Sequence, residues 1–475
     1  MKSDVKRNIN FSVLNEEKIS KIHEASLFLI EEVGMRIDGE RTLKLLHENG
    51  ATTDSSGVTK IPRALVEKAL KTVPKEIVLY TRDGEPHMTI NSENKVYFGT
   101  HADQLEYVDP STGKARKFVK KDTEAICKVA DYLPNIDFVL SVGLSSDVNP
   151  QFQSQISFLE TVKNFHKTIN FSTNDSESLS EVIEIASVVA GGLDKLQEKP
   201  FIFNYCEPIP PLSHPFESTE KLFISAQNRI PVVYMPYCMM GGTSPMSFAG
   251  ALTQCNAEVL VGLVIHQLVS EGAPFIYGAM PTVFDMKTTI GSYGCPEFAL
   301  LVAAASQMCN YYNMPFYGTA GCTDAKVIDE QAITETTYEI FSTLLSKANL
   351  VHDVGVMDHC ISVSPELVVL ADEIIEGLKY YAKGVEVNEE ELQLELIKGV
   401  SHGGNHHYLD EEHTLMNFRN VWYSKLFSRK MVNPNESEVK GLVREKIKNI
   451  LENYEVPKLP DNILKELDKW YAKYE

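Results

Sequence analysis

Two histidine–aspartate pairings stand out, His101 close to Asp103 and His352 beside Asp353, together with two further carboxylates, Glu207 and Asp324. Each follows closely on a short run rich in β-branched and aromatic residues, where a strand gives way to a loop. A histidine or carboxylate in such a place can hold a cation, carry a proton or simply cap the loop, and residue type alone leaves these readings open. Aromatic residues crowd the same positions: Tyr97, Phe98, Tyr205, Tyr234, Tyr237, Phe284 and Tyr293. They read either as core or as a cage for a quaternary ammonium group, which cation–π attraction holds without any hydrogen bond. Glycines recur there too, at 143, 241, 242, 318, 321 and 355. They serve either turn geometry or the close approach of something broad and flat to the backbone. Gly241-Gly242-Thr243-Ser244 leads into a helical pattern, so its amides are candidates for holding an anion.

The elements that must position these residues follow a rhythm. β-rich runs at 95–99, 138–142, 168–172, 201–205, 232–236, 275–278, 316–319 and 350–353 start about 30 to 43 residues apart, with helical patterns between them. Pro200, Pro231, Pro274 and Pro315 each end a helix and open a strand. Eight βα units in series predict an α/β fold, a closed (β/α)8 barrel of the TIM type, with its chemistry in the loops after the strands. Residues 1–90 are expected to form an N-terminal helical cap with some strand, 91–385 the barrel, and 386–475 a C-terminal helical extension. Run 95–99 also fits a hairpin of the cap. Within the extension, 403–408 reads as a turn, 415–427 as a helix, and 437–475 as amphipathic helix broken by Pro457 and Pro460.

The 475 residues suit one such barrel with additions at each end, and a hydrophobic content of 43% supplies a large core. The net charge of −20 repels phosphate backbones and anionic lipid, so neither nucleic acid nor a membrane is an expected partner. A cationic small molecule fits better. The N-terminal residues carry no apolar signal segment, and the most apolar stretch, 257–280, is interrupted by Glu258, His266, Glu271 and Pro274, as in a buried helix followed by a strand. Eight cysteines without a CxxC pair suggest reduced thiols and a cytoplasmic location.

Metal-dependent hydrolysis or lyase chemistry is the rival for a barrel with histidines. The first strand offers no HxH, and no histidine ends the runs at 232 or 275. GxSxG, GxGxxG and GxxxxGK[ST] do not occur at the required places. A barrel that binds a small molecule without turnover is the other alternative.

Asp109-Pro-Ser-Thr-Gly113, Leu133-Pro-Asn-Ile-Asp137, Gly241-Gly-Thr-Ser-Pro245, Gly291-Ser-Tyr-Gly-Cys-Pro-Glu297, Gly318-Thr-Ala-Gly-Cys-Thr-Asp-Ala-Lys326, Asp329-Glu-Gln331 and His352-Asp-Val-Gly355 occur in this order. With them the sequence resembles the trimethylamine methyltransferase family over nearly its whole length, specifically the non-pyrrolysine branch that works on quaternary amines such as glycine betaine. The resemblance implies a barrel that passes a methyl group from an amine to the cobalt of a separate corrinoid (cobalamin-type) protein, with no cofactor held tightly by this chain and no metal site of its own. The trimethylamine-using branch carries pyrrolysine, whereas this sequence has only standard residues, which points to a betaine. A quaternary ammonium leaves as a neutral tertiary amine, so displacement by cobalt(I) needs no general acid. The barrel must hold one methyl in line and exclude water. On this reading His352 is the catalytic group, near the corrinoid and contacting cobalt's open face or the substrate. Tyr97, His101, Tyr205, Glu207, Phe284 and Asp324 are the substrate-binding candidates, and Gly241, Gly242, Thr243, Gly321, Cys322 and Gly355 face the corrinoid. The family and the helical tail also suggest a homo-oligomer.

Overall fold

Every one of the eight β-rich runs forms a strand, and the strands pair in chain order. The computed structural model describes residue 9 and residues 11–91, 95–100, 103–403, 406–429 and 439–474. The strands are β1 (Tyr97–Thr100), β2 (Phe138–Leu140), β3 (Thr168–Phe171), β4 (Ile202–Cys206), β5 (Val232–Tyr234), β6 (Phe275–Gly278), β7 (Phe316–Thr319) and β8 (Leu350–His352). All neighbours are parallel, and β8 closes on β1 through Leu350↔Tyr97 and Val351↔Phe98. Run 95–99 is therefore the first barrel strand. The prolines that open four strands lack an N–H, yet their carbonyls join the ladder. Pro231 accepts from Asn204 at 2.8 Å, and Pro315 from Tyr277 at 2.9 Å.

The barrel is filled by rings. Phe138, Phe203 and Tyr317 meet inside it with centroids 5.6–6.1 Å apart. Gly99 on β1 has no side chain because the Phe138 ring occupies the space that its Cβ would take.

Eight helices cover the outside: α1 (Lys120–Tyr132), α2 (Gln153–Asn164), α3 (Ser176–Ala190), α4 (Phe216–Gln227), α5 (Phe248–Val269), α6 (Pro296–Tyr311), α7 (Glu330–Ser346) and α8 (Pro365–Tyr381). Helix α5 is apolar all round and long enough to cross a bilayer by composition, but it is mostly buried here. It lies between the barrel wall and the cap helices Glu16–Phe28 and Arg63–Thr72, so beyond its exposed first turn it is largely shut off from water. Tyr234, expected at the mouth, lies outside the barrel wall under this helix, its ring where a Cβ on Gly262 would sit. Gly262→Ala gains about 1 kcal/mol of helix propensity but forces the buried Tyr234 ring aside, at a cost of about 1–3 kcal/mol. Urea unfolding should show a net loss of up to about 2 kcal/mol.

The cap does two jobs. Its strand Met35–Ile37 pairs with Val58–Lys60 and with Ser213–His214 of the β4–α4 loop. Its hairpin Ile77–Tyr80/Pro86–Ile90 closes the N-terminal end of the barrel, where Arg82 Nη1 donates to the carbonyls of Val162 and Phe165 at 2.6 and 3.1 Å. Two small sheets that the sequence reading did not anticipate cover the other end. One joins Glu106–Asp109, Lys114–Lys117, Val356–Met357 and Ser362–Val363, and the other joins Met239–Met240, Thr282–Asp285 and Ile290–Gly291.

In the extension, helices Val439–Asn453 and Asp461–Tyr474 pack on the barrel exterior. Arg444 pairs with Glu366 at 2.5 Å, and Tyr454 donates to Asp131 at 2.7 Å. The helix expected at 415–427 is shorter. Only Glu412–Asn417 is α-helical, followed by a 3₁₀ turn at Phe418–Asn420. Beyond it Trp422 lies over Gly377, and the Ser424 hydroxyl and Lys425 amide both donate to Glu373 at 2.6 Å, so anchoring to α8 overrides helix propensity. The turn expected at 403–408 falls partly outside the described residues.

Candidate active site

Alternation along β4 sends every second side chain inwards. Phe203 belongs to the barrel core, Tyr205 lies one layer higher, and Glu207 follows at the mouth. The Tyr205 ring packs 6.2 Å from Tyr317 and 6.0 Å from His352, and its hydroxyl donates to Glu207 Oε2 at 3.4 Å.

His352 occupies that same layer. Its Nδ1 donates to the Gly318 carbonyl at 2.8 Å, which fixes the tautomer and leaves Nε2 bare, 3.4 Å from Asp353 Oδ2. Burial lowers its pKa to about 4, so the ring is neutral at pH 7. At 1% exposure and packed against Tyr205 and Tyr317, it is shielded from a group carried by a partner protein, so the expected contact with cobalt is corrected.

Asp353 is the unusual residue. It is also 1% exposed, its φ is 73°, and neither carboxyl oxygen has a hydrogen-bond partner among the described residues. Burial raises its pKa well above the carboxylate range. The left-handed backbone and an unsatisfied buried acid each cost free energy, about 1–3 kcal/mol apiece, and such costs gather where function needs them. Tyr205, Tyr293, Tyr317 and Cys360 all lie close enough to feel the Asp353 charge.

Around this acid the loops after the strands reach the surface. Tyr205, Glu207, Tyr237, Asp103 and Cys360 all touch solvent, Glu207 most of all, yet protein surrounds each of them densely. Groups on the wall of a concavity have both properties. Asp103 is held by the Ser172 hydroxyl and faces Lys221 of α4, whose ammonium donates to the Thr173 carbonyl. Burial pushes Asp103 up to about 6 against those two contacts. Glu207 rises to about 7 through burial, opposed by the Tyr205 hydroxyl and Lys221 and reinforced by Asp103. Neutral Glu207 is therefore a hydrogen-bond donor near pH 7.

Tyr237 and Tyr293 stack at 5.7 Å on another side, and a hydrogen bond links Cys360 to Tyr293. Asp324 holds Tyr293 in place. One carboxylate oxygen accepts the Tyr293 amide at 2.7 Å and His359 Nδ1 at 2.9 Å, and the other accepts the Ser292 hydroxyl. Asp324 thus ties the loops after β6, β7 and β8 together and is a positioning residue, where substrate contact was expected. Glu335 and Glu339 brace its loop by accepting the amides of Asp324, Gly321 and Cys322 at 2.9–3.1 Å. Asp324→Ala should speed amide hydrogen exchange at 290–296 and 356–361. It should also raise KM for the amine about 10- to 100-fold while secondary structure is retained.

The remaining expected site residues divide. Tyr205 and Glu207 come together as described. Tyr97 opens β1 at the barrel's N-terminal end, where its hydroxyl bonds the Thr89 backbone, so it is far along the strand from the mouth. His101 lies outside the described residues. Phe284 sits on the rim sheet against Gly242, outside the cluster of tyrosines. Gly241 and Gly242 are exposed on the rim and Thr243 is half-buried beside them. Their amides are not free for an anion, because Gly242, Thr243 and Ser244 all donate to the Met239 carbonyl and Gly241 donates to Ser244. Gly321, Cys322 and Gly355 are buried under Val354, Glu339 and Val368, so they do not face a partner. The sequence reading did not select Lys221, Ser172 or Cys360. Lys221 sits within an ordinary helix pattern, and only the fold turns it towards the recess. Among the described residues no three His, Cys, Asp or Glu side chains gather as metal ligands.

The trimethylamine methyltransferase (MTTB) family profile matches residues 2–475. This chain belongs to that family. It is a methyltransferase, as its relatives are. The trimethylamine methyltransferase MttB of Desulfitobacterium hafniense (strain DSM 10664 / DCB-2) is 31% identical over 94% of this chain and 91% of its own. The glycine betaine methyltransferase of Desulfitobacterium hafniense (strain Y51) is 29% identical over 98% and 97%. The barrel is also similar to the solved monomethylamine methyltransferase MtmB of Methanosarcina barkeri, with a TM-score of 0.50 at 12% identity, covering 99% of this methyltransferase and 96% of that chain. That likeness concerns the fold.

Proposed function

We propose that this methyltransferase demethylates a betaine-type quaternary amine and passes the methyl group to the cobalt(I) of a partner corrinoid protein. The observation that carries the reading is Asp353, a buried carboxyl with no hydrogen-bond partner among the described residues, close to Tyr205, Tyr293 and Tyr317. A cation with N–H groups would satisfy a carboxylate through hydrogen bonds. A quaternary ammonium offers none, and it is held by charge and by aromatic faces, which is what Asp353, Tyr205, Tyr237, Tyr293 and Tyr317 supply. At the other end, Lys221 and the neutral form of Glu207 are donors for a substrate carboxylate, consistent with glycine betaine, proline betaine, carnitine or γ-butyrobetaine.

These residues orient and desolvate. The C–N bond breaks towards nitrogen as the methyl bonds to cobalt, and the product is a neutral tertiary amine, so no proton is needed from the protein. The tyrosine hydroxyls, all pushed upwards by burial, stay protonated throughout. The partner's approach is served by the rim, where Met246 and Met286 stand 62% and 67% exposed beside Gly241, giving an adaptable apolar shelf. A cytoplasmic setting, where reduced corrinoid persists, fits eight unpaired cysteines.

Mixing the protein with cob(I)alamin and each of those four betaines, with trimethylamine as comparison, tests the reading. Decay of the cob(I)alamin absorption into methylcobalamin is expected with at least one betaine. No change with any betaine, or a faster change with trimethylamine, overturns it.

A further inference from the structure

The loop after β8 turns back in an uncommon way. Asp358, His359 and Cys360 are three consecutive left-handed residues, with φ of 51°, 54° and 69°, and none of them is glycine. L-residues visit that region singly, so a run of three persists only where the surroundings over-determine it. They do so here from two sides. Towards the loop after β7, the Asp358 amide donates to the Ala325 carbonyl at 3.0 Å, its carboxylate faces Lys326 at 3.3 Å, and His359 Nδ1 bonds Asp324 at 2.9 Å. Towards the loop after β1, the Ile361 carbonyl accepts the amides of Leu105 and Glu106 at 3.0 and 3.1 Å.

What this strap delivers to the site is the Cys360 thiol. Gln104 Nε2 donates to its sulfur at 3.4 Å, and a hydrogen bond links it to Tyr293. Of the two acids that act on it, Asp353 acts more strongly than Asp103, and Tyr205, Tyr237 and Tyr293 all feel the thiol in turn. A cysteine alone would say little. Independently of it, the Asp353 carboxyl nearby is 1% exposed and has no hydrogen-bond partner among the described residues, which points to an ion that offers no N–H. A thiol suits the wall of such a seat. Sulfur is polarisable and packs well beside aromatic rings. Burial pushes the Cys360 pKa up, so no thiolate competes with cobalt for the methyl group.

We infer that Cys360 sets the size of the ammonium head group that this enzyme accepts, by closing the cation seat beside Asp353 and Tyr293. The inference rests on Asp353 as that seat, as proposed above. Calorimetric titration of the full chain with tetramethylammonium and with tetraethylammonium tests it. These ions carry the head group without a tail, so neither turnover nor the identity of the betaine enters. Wild type should prefer tetramethylammonium by at least about tenfold. Cys360→Ala should cut that preference by about tenfold, chiefly by tightening tetraethylammonium. Cys360→Leu, which adds bulk without branching at Cβ, should weaken tetramethylammonium by about tenfold. Cys360→Ser keeps the shape and should leave the preference within about twofold, and circular dichroism checks that each variant folds. An alanine variant that binds both ions with the wild-type ratio removes Cys360 from this role and leaves the seat standing. A wild type that binds neither ion overturns the seat itself.

Discussion

Replacing Asp353 by asparagine is expected to lower kcat/KM for the quaternary amine by about 30-fold or more. Removing one partner of a buried charge pair costs about 2–5 kcal/mol, and each 1.4 kcal/mol is about tenfold. The pH profile distinguishes this from a structural effect. Burial holds the Asp353 proton well above the carboxylate range, so binding a permanent cation must compete with that proton. For the wild type, kcat/KM should therefore climb with pH above the ordinary carboxylate range, whereas Asp353→Asn should be flat. Stability runs the other way. The folded protein binds this proton more tightly than the unfolded chain, whose carboxyl titrates at about 3.9. The contribution to folding is thus intact below about pH 4 and is lost progressively as pH rises towards the folded value. The variant lacks that loss, so its Tm measured by calorimetry should fall less between pH 5 and 8 than that of the wild type. A variant that lowered activity equally at every pH and kept the wild-type Tm profile would remove Asp353 from the role of counter-charge.

Substituting the tyrosine faces gives the second large effect. Tyr293 stacks on Tyr237 at 5.7 Å and packs edge-on against Phe298 at 5.6 Å. Tyr293→Phe keeps the π-face and should change KM by less than about threefold. Tyr293→Leu keeps apolar bulk and loses the quadrupole, at about 1–2 kcal/mol, so KM should rise about 5- to 30-fold. The double variant Tyr205→Leu/Tyr293→Leu should lose about 100-fold or more if the two faces act on one cation. The control is an isostere with an uncharged head, 3,3-dimethylbutanoate, in which carbon replaces the ammonium nitrogen of glycine betaine. Its inhibition constant should be nearly the same for wild type and both leucine variants. Equal weakening of the ligands with and without the cationic head would show that these rings provide only shape.

The barrel was legible because each strand depends on local signals: a proline or turn before it, β-branched and aromatic residues within it, and a helical pattern after it. Even the least certain run, ending at Gly99, closes the barrel, since the missing side chain there is the space that Phe138 fills. The rim sheets were not legible. Two- to four-residue strands such as Met239–Met240 and Ser362–Val363 carry no period to read, and their partners lie far along the chain. Tyr97 was misplaced for a similar reason. A strand residue's type does not say which end of the barrel it occupies, and the hairpin at Thr89 decides it.

At the site, the structure brings Tyr205 and Glu207 together and places His352 and Asp324 in surroundings other than those expected. His352 drew attention by its chemistry, yet it lies sealed against Tyr205 and Tyr317, its Nδ1 bonded to Gly318. Asp353 carries the unsatisfied carboxyl, and its φ of 73° departs from the strand, a conformation that aspartate tolerates and that composition does not reveal. Asp324 braces loops where it was expected to bind, because Tyr293, His359 and Ser292, from the loops after β6 and β8, converge on it.

What this sequence determined by itself is the order and number of its strands, the family to which it belongs, and a mouth rich in tyrosine. These follow from local propensity and from motifs that survive in linear order. Only the tertiary structure decided which carboxyl lies buried without partners, which tyrosines share one recess, and that many of the expected glycines are packed from within. Desolvation and ring packing depend on the whole surroundings of a side chain, and residues as distant as Asp103, Lys221, Tyr293 and Asp353 become one environment only when the barrel closes.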